Sequence, residues 1–399
     1  MRSTEPLLVI VAHTPTASVD RGFLPAALRL GLRTVILTDR LALQAASLAA
    51  IAPIDSTIRM FECDVFAPTA IIDTILQLGE RPAAIFSNSD HLQVATALAA
   101  SWFDLPAKDW RGAHRVKNKA VMRTAIAAAG LDHVWAETVH CVGDLDRLAP
   151  PYPCVVKPRQ GVASEHVALV EESRALRTFC EYVWRDRPGA PMLVEEFLEG
   201  TLFSLETLGD GRDLLVLGGY RCGLTPPPSF VIDDMRWTPE PPEPVRASLV
   251  GQLRSLGVGF GACHTEYVLG ADGRARLIEV NYRSIGDGAD FLMADALGFD
   301  YFSAVLHLHL GQPLPAMPVQ GQHAAIRYLF DEPAAHLPPT REMPGCRVRL
   351  ERLAQNGRES PVLSNRDYRG RLSFLAPERS AIEAAIATFA RQNQKEDFR

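Results

Sequence analysis

The sequence predicts a multidomain chain of the α/β and α+β classes that begins with a parallel-sheet domain. The first indication is an alternation near the start, where the apolar runs LLVIVA and TVILTD enclose a helical segment, FLPAALRLG. Strand, helix and strand in this order form a parallel sheet with crossover helices. The second indication comes after residue 200, where GDG and ADG turns separate strand-like segments. Such turns are typical of antiparallel hairpins.

The length of 399 residues predicts two or three domains, because single hydrophobic cores stop growing at about 250–300 residues. We expect an N-terminal parallel α/β domain over residues 1–112. A small α+β domain follows over residues 113–200, opening with the helical segment NKAVMRTAIAAAG. The remainder, residues 201–399, forms a larger antiparallel domain with a C-terminal extension.

Composition and charge exclude several classes of protein. A net charge of −6 argues against a nucleic-acid partner, since phosphate neutralisation needs clustered Lys and Arg. No apolar run approaches the roughly 20 residues of a membrane-spanning helix, so no membrane partner is expected. The seven cysteines include no CxxC pair. This pattern favours reduced thiols in the cytoplasm and argues against a structural zinc.

Polar tips follow the first and last strands of the predicted parallel sheet. One comes after Ala12, and the other is the SNSD segment after Phe86. Ligands of such sheets lie at the carboxyl ends of the strands. The two tips therefore either line a substrate-binding site or are simple turns, and the sequence favours neither interpretation.

A charged cluster occupies the strand-like segment RARLIEVNYR. Glu279, Asn281 and Arg283 recur at period two, which places them on one face of a strand. Glu266 stands one strand earlier, across the ADG turn, so antiparallel pairing would bring it beside Glu279. Adjacent carboxylates repel unless a cation bridges them. With the Asn281 oxygen they form a set suited to Mg²⁺ or Mn²⁺.

Arg283 comes next along that face and is placed to meet an anion held by the metal. The alternative interpretation is a solvated surface strand, on which Glu and Arg form ion pairs of little energetic weight.

Taken with other segments of the chain, this cluster resembles the metal-binding signature of the ATP-grasp superfamily, in which ExNxR follows a strand-borne Glu. Lys119 resembles the first ATP-binding lysine, with Lys117 as its rival, and Lys157 after the strand PCVV resembles the second. VEEFLEG resembles the hinge that holds adenine, and Glu206 the acidic residue near ribose or metal. The implied ATP-binding residues are Lys119, Lys157, Gly161, Ser164, Glu195, Glu196, Phe197, Leu198 and Glu206. The loop PRQGVASEHV, with its single glycine, is poorer in glycine than in many members.

The resemblance implies an ATP-grasp fold and an ADP-forming carboxylate–amine ligase of the L-amino acid ligase or siderophore synthetase type. Such an enzyme uses ATP and Mg²⁺ or Mn²⁺ to convert a carboxylate into an acyl phosphate, which an amine then attacks. Arg283 would stabilise the transferred phosphoryl group. The expected partners are small-molecule carboxylates and amines, one of them an amino acid, and the resemblance also leaves room for a homodimer. Tyr220, Arg221 and Ser229, near the Pro-rich residues 225–244, are candidates for substrate contact.

Two other functions stay open at this point. One is a biotin-carboxylase-like enzyme that activates bicarbonate, although the chain is too short to carry a carrier domain as well. The other is an ATP-binding protein that keeps the fold without turnover. The complete set of Glu266, Glu279, Asn281 and Arg283 argues against the second alternative.

Overall fold

A computed structural model of the chain describes residues 5–51, 58–161, 165–227, 230–316, 321–331, 339–353, 364–365 and 367–394. Two residues of the predicted sites, Ser164 and Ser229, lie outside these ranges. Three sheets organise the described residues.

The N-terminal sheet is parallel, as predicted. Its strands are β1 (Leu7–Val11), β2 (Arg33–Thr38), β3 (Arg59–Glu62) and β4 (Ala84–Phe86), in the order β3-β2-β1-β4. Its helices are α1 (Leu24–Arg29), which continues a π-helical turn over Ser18–Phe23, α2 (Leu41–Ile51), α3 (Pro68–Gln77) and α4 (Gln93–Trp102). Every residue of β1 is buried, as expected for a parallel strand that is covered on both faces.

A small antiparallel sheet occupies the middle of the chain. Helices α5 (Trp110–Lys117) and α6 (Lys119–Ala128) lead into β5 (Ala136–Val139), α7 (Val142–Leu145), β6 (Cys154–Pro158), β7 (Ala168–Val170), α8 (Ser173–Asp186) and β8 (Met192–Glu196). The strand order is β5-β8-β6-β7. Helix α8 buries Leu176, Cys180 and Val183 against the sheet, and their spacing of four and three residues defines one helix face.

The third sheet is antiparallel and contains nine strands among the described residues. They are β9 (Thr201–Asp210), β10 (Leu214–Leu224), β11 (Ile232–Thr238), β12 (Phe260–Leu269), β13 (Ala275–Asn281), β14 (His323–Leu329), β15 (Thr340–Met343), β16 (Cys346–Arg352) and β17 (Gly370–Ala376). Their order is β13-β12-β9-β10-β11-β14-β17-β16-β15. Four helices accompany them: α9 (Glu243–Ser255), α10 (Ala289–Leu297), α11 (Tyr301–His309) and α12 (Arg379–Gln394).

One hydrophobic core joins the first and third sheets, whereas the small middle sheet has a core of its own. Two rings of helix α11, Phe302 and His309, make edge-to-face contacts with aromatic residues of the N-terminal unit, Phe23 and Phe86. We propose domain boundaries near residues 112 and 200, because each sheet then lies within a single segment.

Helices α10 and α11 are the most apolar pair of this region. No single helix in the described part of the chain is long and apolar enough to cross a bilayer. Helices α10 and α11 together have the necessary length and hydropathy, but a bend of 101° separates them.

Gly112 on α5 touches the backbone of the turn that follows α9. A Cβ at Gly112 would lie 2.5 Å from the carbonyl oxygen of Gly257. Replacing Gly112 by Ala should therefore destabilise the fold by about 1–3 kcal/mol, the usual cost of overpacking. The matched control is Gly251→Ala in α9, where a Cβ meets nothing within 4 Å and helix propensity alone should stabilise by about 0.5–1 kcal/mol. Thermal unfolding would measure both, and a stabilising Gly112→Ala would contradict the packing described here.

His309 makes the fold sensitive to acid. Burial, aided by Lys108, lowers its pKa to about 3, whereas an unfolded His has a pKa of about 6.5. Between these two pH values the unfolded chain binds a proton that the folded chain does not, so stability falls as pH falls, by about 1.4 kcal/mol per pH unit. His309→Phe should shift the acid unfolding midpoint to lower pH. The same change at the exposed His323 should leave that midpoint in place; equal shifts would refute the assignment.

Candidate active site

A cleft lies between the small middle sheet and the β9–β13 end of the large sheet. Of the predicted ATP- and metal-binding residues, those that line it are Lys119, Lys157, Gly161, Glu195, Glu196, Phe197, Leu198, Glu266 and Glu279. Its other walls are mostly apolar and include Val155, Phe230, Ile232, Val268 and Ile278. The cleft therefore offers an apolar slot next to a strongly charged end. This is the combination that suits a flat aromatic ring carrying anionic groups.

Lys157, at the end of β6, is buried in the wall of the cleft. Its ammonium group forms an ion pair with Glu195 on the neighbouring strand β8. Arg123 on α6 contacts the same carboxylate, with 3.1 Å between its Nε and Oε2 of Glu195. Burial alone would raise the pKa of Glu195, but the two cations reverse this and hold it below its usual range. Burial lowers the pKa of Lys157, and Glu195 offsets only part of the effect.

Arg123 is a site residue that the sequence analysis missed. Besides Glu195, it donates to the carbonyl oxygen of Leu277 at 2.5 Å, so it connects α6, the hinge strand β8 and strand β13. Its position four residues after Lys119 places both side chains on the same face of α6, and this spacing is the signal that could have identified it.

Lys119 opens α6 and points into the cleft. The side chain of Asn118 caps the helix by accepting from the backbone N–H of Val121. Nζ of Lys119 lies 2.8 Å from Oε1 of Glu279 and 3.2 Å from the carbonyl oxygen of Gly161. Burial alone would lower the pKa of Lys119, but Glu279 reverses this and raises it. Lys117, the rival for the same role, instead forms an ion pair with Asp90.

The register of β12 and β13 places Glu266 directly opposite Glu279 and His264 opposite Asn281. The predicted side-by-side pairing of the two carboxylates is therefore confirmed. Asn281 follows Glu279 by two residues on β13 and so lies on the same face of the strand, although it is buried and does not line the cleft. This donor set fits a divalent cation such as Mg²⁺.

His264 is a second residue that the sequence analysis missed. Its Nδ1 lies 2.8 Å from Oε1 of Glu206, and its Nε2 lies 3.4 Å from Oε1 of Glu266. Burial alone would lower the pKa of His264, but the two carboxylates reverse this and raise it to about 10. Glu206, expected near ribose or metal, thus stands behind Glu266 and reaches it through the imidazole.

The carboxylate pair does not form a complete metal-binding group by itself. Over the described ranges, no group of three or more His, Cys, Asp or Glu side chains is arranged to hold a metal ion. Coordination would need the Asn281 oxygen together with oxygens of a bound ligand, as is usual for Mg²⁺ held against phosphates. In this structure Lys119 and His264 supply the positive charge beside the pair.

Arg283 lies beyond the end of β13, which stops at Asn281. Its Nη1 donates to the carbonyl oxygens of Ser284 and Ile285, at 2.6 and 2.7 Å. Its charge, with that of Lys117, outweighs the effect of burial and keeps the pKa of Asp90 below its usual range. The turn containing Arg283 therefore faces the polar tip after β4, where Asn88 Oδ1 accepts from the backbone N–H of Ser284 at 3.1 Å.

The two candidates for substrate contact that the structure describes, Tyr220 and Arg221, lie outside the cleft. Tyr220 is completely buried, and its hydroxyl donates to the carbonyl oxygen of Ala289 at 2.7 Å. Arg221, the next residue on β10, is exposed. Neither lines the cleft.

Comparison with known proteins agrees with this geometry. Residues 90–221 match the family described as the ATP-grasp domain. An uncharacterized protein of Sinorhizobium fredii (strain NBRC 101917 / NGR234), y4rH, is 27% identical over 413 aligned positions, which cover 95% of this chain and 80% of that protein.

Solved structures resemble the whole chain. An L-amino acid ligase from Bacillus licheniformis superposes with a TM-score of 0.76 at 21% identity, covering 98% of each chain. The biotin carboxylase domain of the Hydrogenobacter thermophilus 2-oxoglutarate carboxylase, a dimer in complex with MgADP, ADP and bicarbonate, superposes with a TM-score of 0.68 at 17% identity, covering 93% of this chain and 86% of that one. The chain thus has the fold shared by the ATP-grasp ligases, and it contains an ATP-grasp domain. The predicted fold is confirmed, and residues 90–221 match the domain family of the predicted superfamily.

The ion cluster around Glu195 can be tested through stability. Glu195→Gln would leave Lys157 and Arg123 buried without a counter-charge, which should destabilise the fold by about 3–5 kcal/mol. The adjacent Glu196 is only partly buried and accepts a single backbone N–H, from Trp135 at 3.1 Å, a bond that Gln can also accept. Glu196→Gln should therefore cost less than about 1 kcal/mol. Urea unfolding measures both, and similar costs would disprove the special role of Glu195.

Proposed function

We propose that the chain is an ATP-dependent, ADP-forming carboxylate–amine ligase that makes an amide bond through an acyl phosphate. The observation that carries the proposal is the convergence of Lys119, Lys157 and the Glu266–Glu279 pair in one cleft beside the hinge segment 195–198. A polyphosphate with a divalent cation matches this charge arrangement, because the lysines meet the phosphates and the carboxylates meet the metal.

The geometry supports a division of roles within the site. The apolar slot between the sheets would hold adenine against Phe197 and Leu198. Lys157 would meet the α- and β-phosphates, and Lys119 would leave Glu279 to meet phosphate. Glu266, Glu279 and Asn281 would hold Mg²⁺ or Mn²⁺, which when bound neutralises charge on the phosphates. Phosphoryl transfer needs mainly positioning and charge stabilisation, and these groups provide both.

Arg283 is the proposed catalytic residue. It lies two residues beyond the end of the strand that carries Glu279 and Asn281, and it faces the tip after β4. From there its guanidinium would stabilise the phosphoryl group as it moves to the substrate carboxylate, and then the tetrahedral intermediate formed by the amine. The carboxylate and amine would therefore bind between this turn and the N-terminal sheet.

The fold similarity to an L-amino acid ligase supports an amino acid as one substrate. We propose a role in natural product or siderophore biosynthesis. All seven cysteines are free thiols, which agrees with the proposed cytoplasmic location. The resemblance found in the sequence allows a homodimer, and light scattering can measure the oligomeric state.

A second candidate function is bicarbonate activation, which the fold similarity to a biotin carboxylase domain favours. The test is ADP and phosphate release from the purified protein with Mg·ATP and a panel of amino acids, hydroxy-polycarboxylates and bicarbonate. Release with an amino acid and formation of an amide product would support the ligase. Release with bicarbonate alone would select the second candidate. ATP binding without release on any member would identify a binding protein instead.

Glu279→Gln should lower ADP formation by roughly hundredfold or more, because it removes one charge from the metal-binding pair. Circular dichroism and thermal unfolding would check that the variant folds. The control is Glu137→Gln on an exposed position of β5, which should retain wild-type turnover. Unchanged activity of folded Glu279→Gln would contradict the metal assignment.

A further inference from the structure

Strands β16 and β17 carry a pattern that the proposed function does not use. Arg347, Arg349 and Glu351 alternate along β16, and the register pairs them with Leu375, Ser373 and Arg371 of β17. Residues directly opposite each other in a sheet share a face, so these six side chains form one surface. The intervening apolar residues of both strands pack on α12.

This charged face forms one wall of a second cleft. Helix α10 provides the opposite wall through Phe291, Leu292 and Asp295, and Arg21 closes one end. None of the residues that line this cleft also lines the cleft of the candidate active site. The two are therefore separate sites.

Positive charge exceeds negative charge in this second cleft. Four guanidinium groups face two carboxylates, Glu351 and Asp295. Glu351 is shared by two of the arginines, with its Oε1 2.8 Å from Arg21 and its Oε2 3.1 Å from Nε of Arg371. Arg349 is exposed and forms no ion pair with any described residue. The cleft thus keeps guanidinium donors available for an anion.

One of these arginines is already fixed in place. The side chain of Arg371 is only 7% exposed, and it donates to the carbonyl oxygen of Asp287 as well as to Glu351. Gly288 makes this possible, because a Cβ there would lie 2.3 Å from Cζ of Arg371. An anion that binds here therefore does not need to order this donor.

The wall from α10 is apolar next to the charges. Phe291 and Leu292 on the helix face Leu375 on β17, and Leu292 and Leu375 are buried. A ligand that filled the cleft would place an anionic group on the arginines and an apolar group on this wall.

We propose that this cleft binds a small organic anion, a phosphate or carboxylate that carries an apolar group. The arginines hold the anionic end, and Phe291, Leu292 and Leu375 hold the apolar part. The proposal does not depend on the activity of the first cleft, so it can fail or succeed independently.

Isothermal titration of the full chain tests the proposal, with phenyl phosphate as the probe. We expect binding that persists when a non-hydrolysable ATP analogue with Mg²⁺ is present in excess. Titration with benzoate shows whether a carboxylate can replace the phosphate. Inorganic phosphate lacks the apolar group, so it should bind more weakly than phenyl phosphate. Absence of phenyl phosphate binding, or its loss on adding the nucleotide, would overturn the proposal. Equal binding of inorganic phosphate would overturn the apolar part.

Substitutions of the exposed arginines test whether phenyl phosphate binds in this cleft. Arg349→Gln should weaken phenyl phosphate binding by roughly tenfold or more, the usual effect of one charge-assisted hydrogen bond. Arg347→Gln should act in the same direction, and because both residues are exposed, neither change should affect folding. Arg174→Gln, an equal charge change on α8, is the control and should bind as the wild type does. Wild-type affinity in both cleft variants would rule the site out.

Discussion

Two carboxylates face each other across antiparallel strands, and much of the structure serves to stabilise this pair. Glu266 and Glu279 repel each other unless positive charge stands beside them. The protein supplies it from two directions: His264 approaches Glu266 within its own strand, and Lys119 approaches Glu279 from α6. Each cation has a second partner. His264 forms an ion pair with Glu206, and Lys119 donates to the carbonyl oxygen of Gly161. The charge balance of the cleft thus extends over β9, β12, β13 and α6.

A buried hydrogen-bond network connects this region with the N-terminal sheet. Asp290, at the start of α10, accepts from the hydroxyl groups of Ser18 at 2.6 Å and Ser284 at 3.3 Å, and the backbone N–H of Ser284 donates to Oδ1 of Asn88 at 3.1 Å. Burial raises the pKa of Asp290, while the hydroxyl donors oppose this rise. Three segments distant in sequence, around residues 18, 88 and 284–290, are therefore joined through Asp290 and Ser284. The turn that carries Arg283 is positioned from both sides, although most of that turn is irregular backbone.

Local patterns predicted much of this site, and long-range contacts account for most of what they missed. The pairing of Glu266 with Glu279 follows from one hairpin, so alternation and a turn signal were enough. Arg123 and Glu195 are 72 residues apart, and Glu206 and His264 are 58 apart; the packing of separate elements sets these contacts, and no local pattern encodes it. Tyr220 illustrates another limit: its place near the Pro-rich residues 225–244 made it a candidate for substrate contact, whereas the partner of its buried hydroxyl, the carbonyl oxygen of Ala289, is 69 residues away. The four strands β14–β17 were not foreseen, since alternating charges such as those of RVRLER also occur in exposed loops.

Lys119 has a consequence that concerns contact between the sheets as well as charge. One ammonium group bridges strand β13, through Glu279, and the loop after β6, through Gly161. A ligand that captures this ammonium group therefore breaks two links in a single event, releasing a carboxylate on the large sheet and a loop on the small one. The two sheets have separate cores, and Arg123 also connects them through Glu195 and the carbonyl oxygen of Leu277. Lys119 differs from Arg123 because it lines the cleft, where a ligand can reach it. A ligand that binds Lys119 would therefore change a contact between the two sheets as well as the charge balance of the cleft.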